Sequence, residues 1–400
     1  MRATAAAVAA LVVAATMLLT LRLARGRITA VTAGLLAATV GASPFIESFT
    51  LSGELLASLP AVLSLLVFCA YLQGRERGWP RNRLLLTLAG AGLLTGIAVL
   101  IKQSAFDAGL AAVAFLLWRE RRRGIAPAGV LLGGVLVPVA VAAASAAHLS
   151  EWLYAVVGYR FHGDSLVTGS LDGRAHQLWV SLLPAGKALG VLALLAAAGW
   201  RRAPLLARIW VVAAAVGVVG GGNFHPHYYL QLVPPLSLLA AVGVRSLWLS
   251  APRPALATAG AAAAATFAVS MPVAWASPAE QAETIWPRDP HLVHDAVLAR
   301  YVRAHTLPSQ RVLAVWADAD LYYLADRRPA TRYLWSRNVA SIPGALRAVH
   351  YALATRSARL VLVVQPPLTL DPSGRTSRLL RTEYRRVARI GDATIYRSLR

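Results

Sequence analysis

The first 275 residues consist of apolar runs of roughly 15 to 21 residues, each close to the length that carries a helix across ~30 Å of hydrocarbon. No other feature narrows the fold as far. In hydrocarbon an unpaired backbone N–H or C=O has no water to turn to, and a helix pairs all of its own. The runs lie near residues 4–21, 28–46, 54–73, 84–101, 104–118, 127–147, 181–199, 205–222, 227–247 and 255–275, predicting about ten transmembrane helices. With 57% hydrophobic and 14% charged residues, the chain is too apolar for an ordinary soluble protein. The first run follows Arg2 as a signal peptide would, but no small-residue cleavage site leads into a soluble region. Instead Arg22, Arg25 and Arg27 follow and a second apolar run begins at once.

The formal charge of +22, from 40 Lys and Arg against 18 Asp and Glu, would suggest nucleic acid in a soluble chain. Here topology accounts for it, and no nucleic-acid partner is expected. The connections Arg22–Arg27, Arg75–Arg83, Arg119–Arg123, Arg201–Arg208 and Arg245–Arg253 are basic, which places them in the cytosol. The alternate connections, Ser43–Gly53, the bend at Lys102 and Gln103, Glu151–Trp179 and Asn223–Pro226, carry few basic residues and are expected to face outward. This parity puts Met1 and the C-terminal region on the outer face of a multi-pass plasma-membrane protein. Heavy use of alanine and arginine with almost no lysine suggests a GC-rich bacterium. The single cysteine allows no disulfide within the chain and no Cys-based metal site.

Residues 277–400 break the pattern, with 19 arginines, 10 carboxylates and no run long enough to span. Short β-type runs at Arg311–Trp316, Arg359–Val364, Tyr384–Ile390 and Ala393–Arg397 alternate with helix-like stretches at Asp295–Ala304 and Gly344–Thr355. The expected fold is an all-α membrane bundle, residues 1–276, followed by a small extracytoplasmic α/β domain, residues 277–400.

Polar groups near the outer helix ends are the candidates for chemistry, because polar groups at membrane depth are costly. Glu54, in Ser52-Gly53-Glu54-Leu55, starts the third span. It is the candidate catalytic carboxylate, and its bland reading is a favourable charge at a helix N-terminus. Lys102 and Gln103 lie at a tight outer bend, where an ammonium can neutralise a lipid phosphate or simply snorkel to headgroups. Asp107 is placed to pair with Lys102 about one turn on. The aromatic loop 151–179 offers Arg160 and His162 as substrate contacts, and the stretch from Gly220 to Tyr229 offers His225, His227 and Tyr228. The His-Pro-His spacing is compatible with a divalent metal, but no cysteine or carboxylate cluster stands beside it in sequence. No metal ligand set and no cofactor is assigned. No Walker loop, dinucleotide fingerprint or nucleophile elbow occurs in a supporting context.

Three segments in order carry a resemblance: Ser43-Pro44 with Ser52-Gly53-Glu54; Gly92-Leu93-Leu94-Thr95-Gly96-Ile97-Ala98 running to Lys102-Gln103; and His227-Tyr228-Tyr229-Leu230 with Pro234-Pro235. Over residues 1 to about 250 the chain resembles the bacterial GT-C glycosyltransferases, the superfamily that includes the dolichyl-phosphate-mannose protein mannosyltransferases and the aminoarabinose transferase of lipid A. The resemblance implies transfer of a sugar from a polyprenyl-phosphate donor to an acceptor on the outer face. It also implies an acidic residue on the first outer loop, after the first helix, and Met1 begins at what resembles the family's second helix. The expectation is therefore a start codon set too late, a degenerate non-catalytic paralogue, or a loop supplied by another polypeptide. The competing class, a transporter or flippase of a lipid-linked glycan, predicts inverted repeats and mid-membrane charges, neither of which the sequence shows. Lipid donor and membrane lipids are the expected partners.

Overall fold

The computed structural model of the chain describes residues 2–158, 171–220, 222–250, 252–286, 291–316 and 319–399. It divides into two compact units, one of Met1–Leu149 with Leu171–Trp275 and one of Ser150–Ser170 with Ala276–Arg400. Arg160 and His162 lie outside the described residues.

The first unit is a helical bundle: α1 (Arg2–Ala24), α2 (Arg27–Gly41), α3 (Gly53–Glu76), α4 (Arg81–Ile101), α5 (Asp107–Glu120), α6 (Ile125–Ala144), α7 (Leu171–Gly199), α8 (Leu205–Gly220), α9 (Val233–Ser250) and α10 (Pro252–Trp275). Among the described residues, six stretches are long and apolar enough to cross a membrane: Ala3–Ala24, Gly53–Glu76, Arg81–Ile101, Asp107–Ala144, Asp172–Gly199 and Pro226–Ser250. Arg27–Gly41, Leu205–Gly220 and Ala264–Val273 are shorter apolar helices. The ten full spans expected are thus matched only in part, and two of the runs are broken locally. The run 28–46 stops as a helix at Gly41, because Pro44 has no N–H to donate and pushes Ser43 to an extended ψ of 127°. The run 227–247 opens as a 3₁₀ turn, Pro226–Leu232, and becomes α-helical only at Val233.

Lipid tails are as apolar as leucine, so burial alone cannot hold such helices together, and close backbone approach must do it. A Cβ placed on Gly92 would sit 2.0 Å from the Leu131 carbonyl oxygen, and one on Gly134 would sit 2.3 Å from that of Ala89. Helices α4 and α6 therefore touch backbone to backbone. Gly199 and Gly243 do the same for α7 and α9, at 2.3 and 2.0 Å from the carbonyls of Leu239 and Leu195. Ser64 adds a polar tie from α3 to α4, donating to the Ala91 carbonyl at 2.8 Å. The outside of the bundle is apolar, with Ile28, Leu86 and Leu194 each more than 70% exposed.

The basic turns converge at one end of this unit. Arg22 donates to Gln73 at 2.7 Å, Arg75 pairs with Glu120, Arg245 reaches the Ala24 carbonyl at 3.3 Å and Arg202 bonds Ser246. The connections between α2 and α3, between α4 and α5, and between α8 and α9 lie at the other end.

The second unit carries a four-stranded sheet in the order β1-β2-β4-β3: β1 (Arg311–Val315) pairs parallel with β2 (Ala358–Val363), and β4 (Ala393–Ser398) pairs antiparallel with β2 and β3 (Tyr384–Ile390). All four strands fall where the β-type runs predict them. Helices at His291–His305 and Ala345–Ala354 cover it, and the core gathers Leu298, Val302, Leu360 and Ile395 on one side and Val349, Leu353, Val361 and Leu380 on the other.

Asp371 pins the helix Arg375–Glu383 to this core. Its carboxylate accepts from Ser373 Oγ at 2.5 Å, from the Thr376 backbone N–H at 2.6 Å and, in the Nε2–H tautomer, from His350 at 2.9 Å. Burial alone would raise its pKa, but these bonds outweigh it and hold the carboxyl well below the usual carboxylate range. A depressed folded value means stability that is complete above the unfolded value of ~4 and is lost as pH falls toward the folded value. Asp371→Asn is expected to cost ~1–2 kcal/mol at neutral pH. Hydrogen exchange of residues 375–383 in the full chain measures this, and the gap between variant and parent should shrink below about pH 4.

Candidate functional site

The connection from α2 to α3 is short, polar and self-bonded. Ser48 Oγ donates to the Ser43 carbonyl at 2.8 Å, Thr50 Oγ1 donates to the Glu47 carbonyl at 2.7 Å, and Ser52 caps α3 by accepting from the Leu55 N–H at 3.2 Å. Glu47 sits in the left-handed region, φ 53°, a conformation that costs a non-glycine residue roughly 1 kcal/mol or more and that the surrounding bonds enforce. Both its carboxylate and that of Glu54, in the first turn of α3, are buried.

Lys102 ends α4 in an extended conformation and turns its ammonium onto this connection. Its Nζ lies 2.7 Å from Glu54 Oε1 and 4.3 Å from the centre of the Tyr228 ring. Asp107, expected to pair with Lys102, does not. Its Oδ2 accepts from Trp210 Nε1 at 2.6 Å and its Oδ1 from Gln231 Nε2 at 2.8 Å. The reason is register: α5 starts at Asp107 and directs this carboxylate into the bundle beside α8, whereas Lys102 finds Glu54 across the α3 N-terminus.

The third contributor is the 3₁₀ turn Pro226–Leu232, whose first residues were expected to open an α-helix. His225 and His227 stack with ring centres 5.5 Å apart, and Tyr228 meets both edge-on at 5.6 and 5.1 Å. His227 Nδ1 bonds Glu47 Oε2 at 2.8 Å, and its Nε2 lies 4.0 Å from Glu54 Oε2. Carboxylate, imidazole, carboxylate and ammonium thus run in sequence as Glu47, His227, Glu54 and Lys102. Gln103 occupies the turn after Lys102, partly buried.

Three bonds hold the turn at this place. Gln231 donates to Asp107 and also to the Ser104 carbonyl at 2.9 Å, and Tyr229 and Ser181 share a hydroxyl bond of 2.6 Å. Asp107→Leu is expected to lower stability by ~3 kcal/mol, because it strands the buried N–H groups of Trp210 and Gln231. A thermal melt of the detergent-solubilised chain measures it. Unchanged melting would mean that those groups find other partners.

The structure therefore brings together Glu54, Lys102, His225, His227 and Tyr228 from three separate segments, and adds Glu47, which the sequence reading missed. The available signal was its place on a loop of low basic content, seven positions before Glu54. Trp210 and Gln231 gave no signal, since each falls within an apolar run. Glu47 and His227 are donors of kinds that zinc takes. They are bonded to each other, however, and among the described residues no group of three or more His, Cys, Asp or Glu is placed to hold a metal ion.

An apolar groove of about 570 Å³ lies beside this cluster, between α1, α2 and α3, and reaches Leu230, Val233 and Pro234 at the 3₁₀ turn and the start of α9.

No protein-family model matches the sequence, and no curated protein matches it. Among solved structures the chain is similar to ArnT from Cupriavidus metallidurans bound to undecaprenyl phosphate, with a TM-score of 0.59 at 15% identity, covering 99% of this chain and 83% of that one. It is also similar to an oligosaccharyltransferase from Archaeoglobus fulgidus in complex with Zn and sulfate, with a TM-score of 0.52 at 14% identity, covering 99% of this chain and 61% of that one. Both are GT-C superfamily enzymes, and the likeness shows that this chain has their fold.

Proposed function

We propose that this chain transfers a sugar from a polyprenyl-phosphate carrier to an acceptor at the outer face of a bacterial plasma membrane, with residues 277–400 forming an extracytoplasmic domain. The observation that carries the reading is the Lys102 ammonium, fixed by Glu54 and Tyr228 at the end of the bundle remote from the arginine turns and next to a groove suited to an isoprenoid tail. ArnT, which has this fold, is bound to a polyprenyl phosphate. Helix ends poor in arginine face outward in the ordinary membrane arrangement.

In the proposed reaction an acceptor oxygen bonds to the anomeric carbon of the sugar while the bond from that carbon to the carrier phosphate breaks. The electron pair leaves on the phosphate oxygen, and the acceptor proton passes to a carboxylate. Lys102 supplies positive charge and N–H donors where the leaving phosphate gathers charge, usually the largest electrostatic contribution at such a site, and His225 and His227 are proposed to contact the donor beside it. Glu54 is the proposed base. Glu47 sets the orientation of His227 by holding Nδ1, leaving Nε2 directed toward Glu54 and the space beside it. Tyr228 offers a ring face against sugar or ammonium, and Gln103, Arg160 and His162 are proposed as further substrate contacts.

Membranes carrying the full chain, incubated with a radiolabelled polyprenyl-phosphate hexose, should release free polyprenyl phosphate and move label to an acceptor fraction. Absence of turnover with a panel of such donors counts against the reading.

A further inference from the structure

At the arginine end of the bundle an open cleft of about 1120 Å³ separates the α3–α4 connection from the α5–α6 connection. Its volume is slightly above the ~300–1,000 Å³ common for small-molecule sites. Six arginines line it, namely Arg75, Arg81, Arg119 and the run Arg121–Arg123, against a single lining carboxylate, Glu120, which Arg75 already engages. The deeper wall is apolar, made by Leu84, Leu88, Pro127 and Val130. Cations at the rim above a hydrocarbon-like wall describe the two halves of an amphiphile.

The arginine run is held in place rather than trailing. Arg121 lies at φ 51° where α5 ends, and the next residues close a 3₁₀ turn, Arg121–Gly124. Gly124 is buried against α5, where an added Cβ would meet the Leu116 carbonyl oxygen at 2.4 Å. Helix α4 also starts at this end without a side-chain cap, adding the positive end of its dipole. Nearby, Arg83 stacks on the Trp79 ring at 3.7 Å, an aromatic and cation pair of the kind that settles at the headgroup layer.

From this geometry we infer a binding site for an anionic phospholipid of the membrane leaflet at the arginine end, with a two-phosphate headgroup of the cardiolipin type as the best fit. Arginine forks bind phosphodiester oxygens in pairs, and the apolar wall takes the first part of the acyl chains. The site stands apart from the proposed transfer site, at the opposite end of α3 and α4, so it does not depend on that activity.

The test uses the full chain in mild detergent and native mass spectrometry, with cardiolipin, phosphatidylcholine and inorganic phosphate as probes. Cardiolipin should be retained, phosphatidylcholine should not, and millimolar inorganic phosphate should fail to displace cardiolipin. Arg122→Gln with Arg123→Gln leaves the other basic turns to orient the chain and should weaken cardiolipin binding roughly 10- to 30-fold, since each surface arginine contributes a roughly fivefold factor. Arg201→Gln with Arg202→Gln, in another cleft at the same end, of about 610 Å³ and with only two arginines, is the control and should leave binding unchanged. Equal retention of phosphatidylcholine, equal weakening by both pairs, or displacement by inorganic phosphate would overturn the inference.

Discussion

Lys102→Ala is expected to reduce sugar transfer by roughly 10²- to 10³-fold, the loss usual when one preorganised group that faces developing negative charge is removed. The expectation follows from placement: Nζ is 2.7 Å from a carboxylate that is itself 3% exposed, in surroundings where a charge is screened far less than in water. The same burial complicates the variant. Removing the ammonium leaves Glu54 without its countercharge, a change that costs about 3–5 kcal/mol in buried pairs and would lower the amount of folded chain. Lys102→Met combined with Glu54→Gln removes both charges and should melt close to the parent while remaining inactive. Activity per folded molecule, measured with labelled polyprenyl-phosphate hexose, separates the two effects. A double variant that folds and still transfers sugar would remove both residues from the proposed chemistry.

Gly92→Ala should destabilise the bundle by ~3 kcal/mol or more, at or above the upper end of overpacking costs, because the added carbon meets backbone and no side chain can step aside. The carbonyl of Leu131 would lie 2.0 Å from it, so α4 and α6 must separate along their length. Helix pairs held by dispersion lose much of their attraction over such a gap. Gly133→Ala is the matched control: it lies on α6, one residue from Gly134, and a Cβ there meets nothing within 4 Å. Thermal melts in detergent should show a large fall for the first and none for the second. Equal behaviour would mean that the contact between α4 and α6 carries little of the stability.

The bundle and the strands of the second unit were legible in the sequence because both announce themselves by period, long apolar runs in one case and short alternating runs in the other. Arginine-bearing turns announced which helix ends lie together, and the bonds of Arg22, Arg75, Arg202 and Arg245 show them converging. Local breaks were less legible. Pro44 stopped α2 inside an apolar run, and Pro226 drew the next segment into a 3₁₀ turn. Of the cluster, the helix-end residues Glu54, Lys102 and His227 stood out because polar groups are scarce there. Pairing did not: Asp107 lies five positions after Lys102, yet it bonds Trp210 and Gln231, over a hundred positions away. Sequence distance says little about partners once helices fold against one another.

The brevity of α2 has a consequence for how a carrier would approach. Fifteen residues rise only about 22 Å, well short of a ~30 Å hydrocarbon layer. A bilayer that thins to cover such a mismatch would be dimpled next to the groove. Headgroups at such a dimple would lie nearer the midplane, bringing a carrier phosphate toward Lys102 while its tail stays in oil.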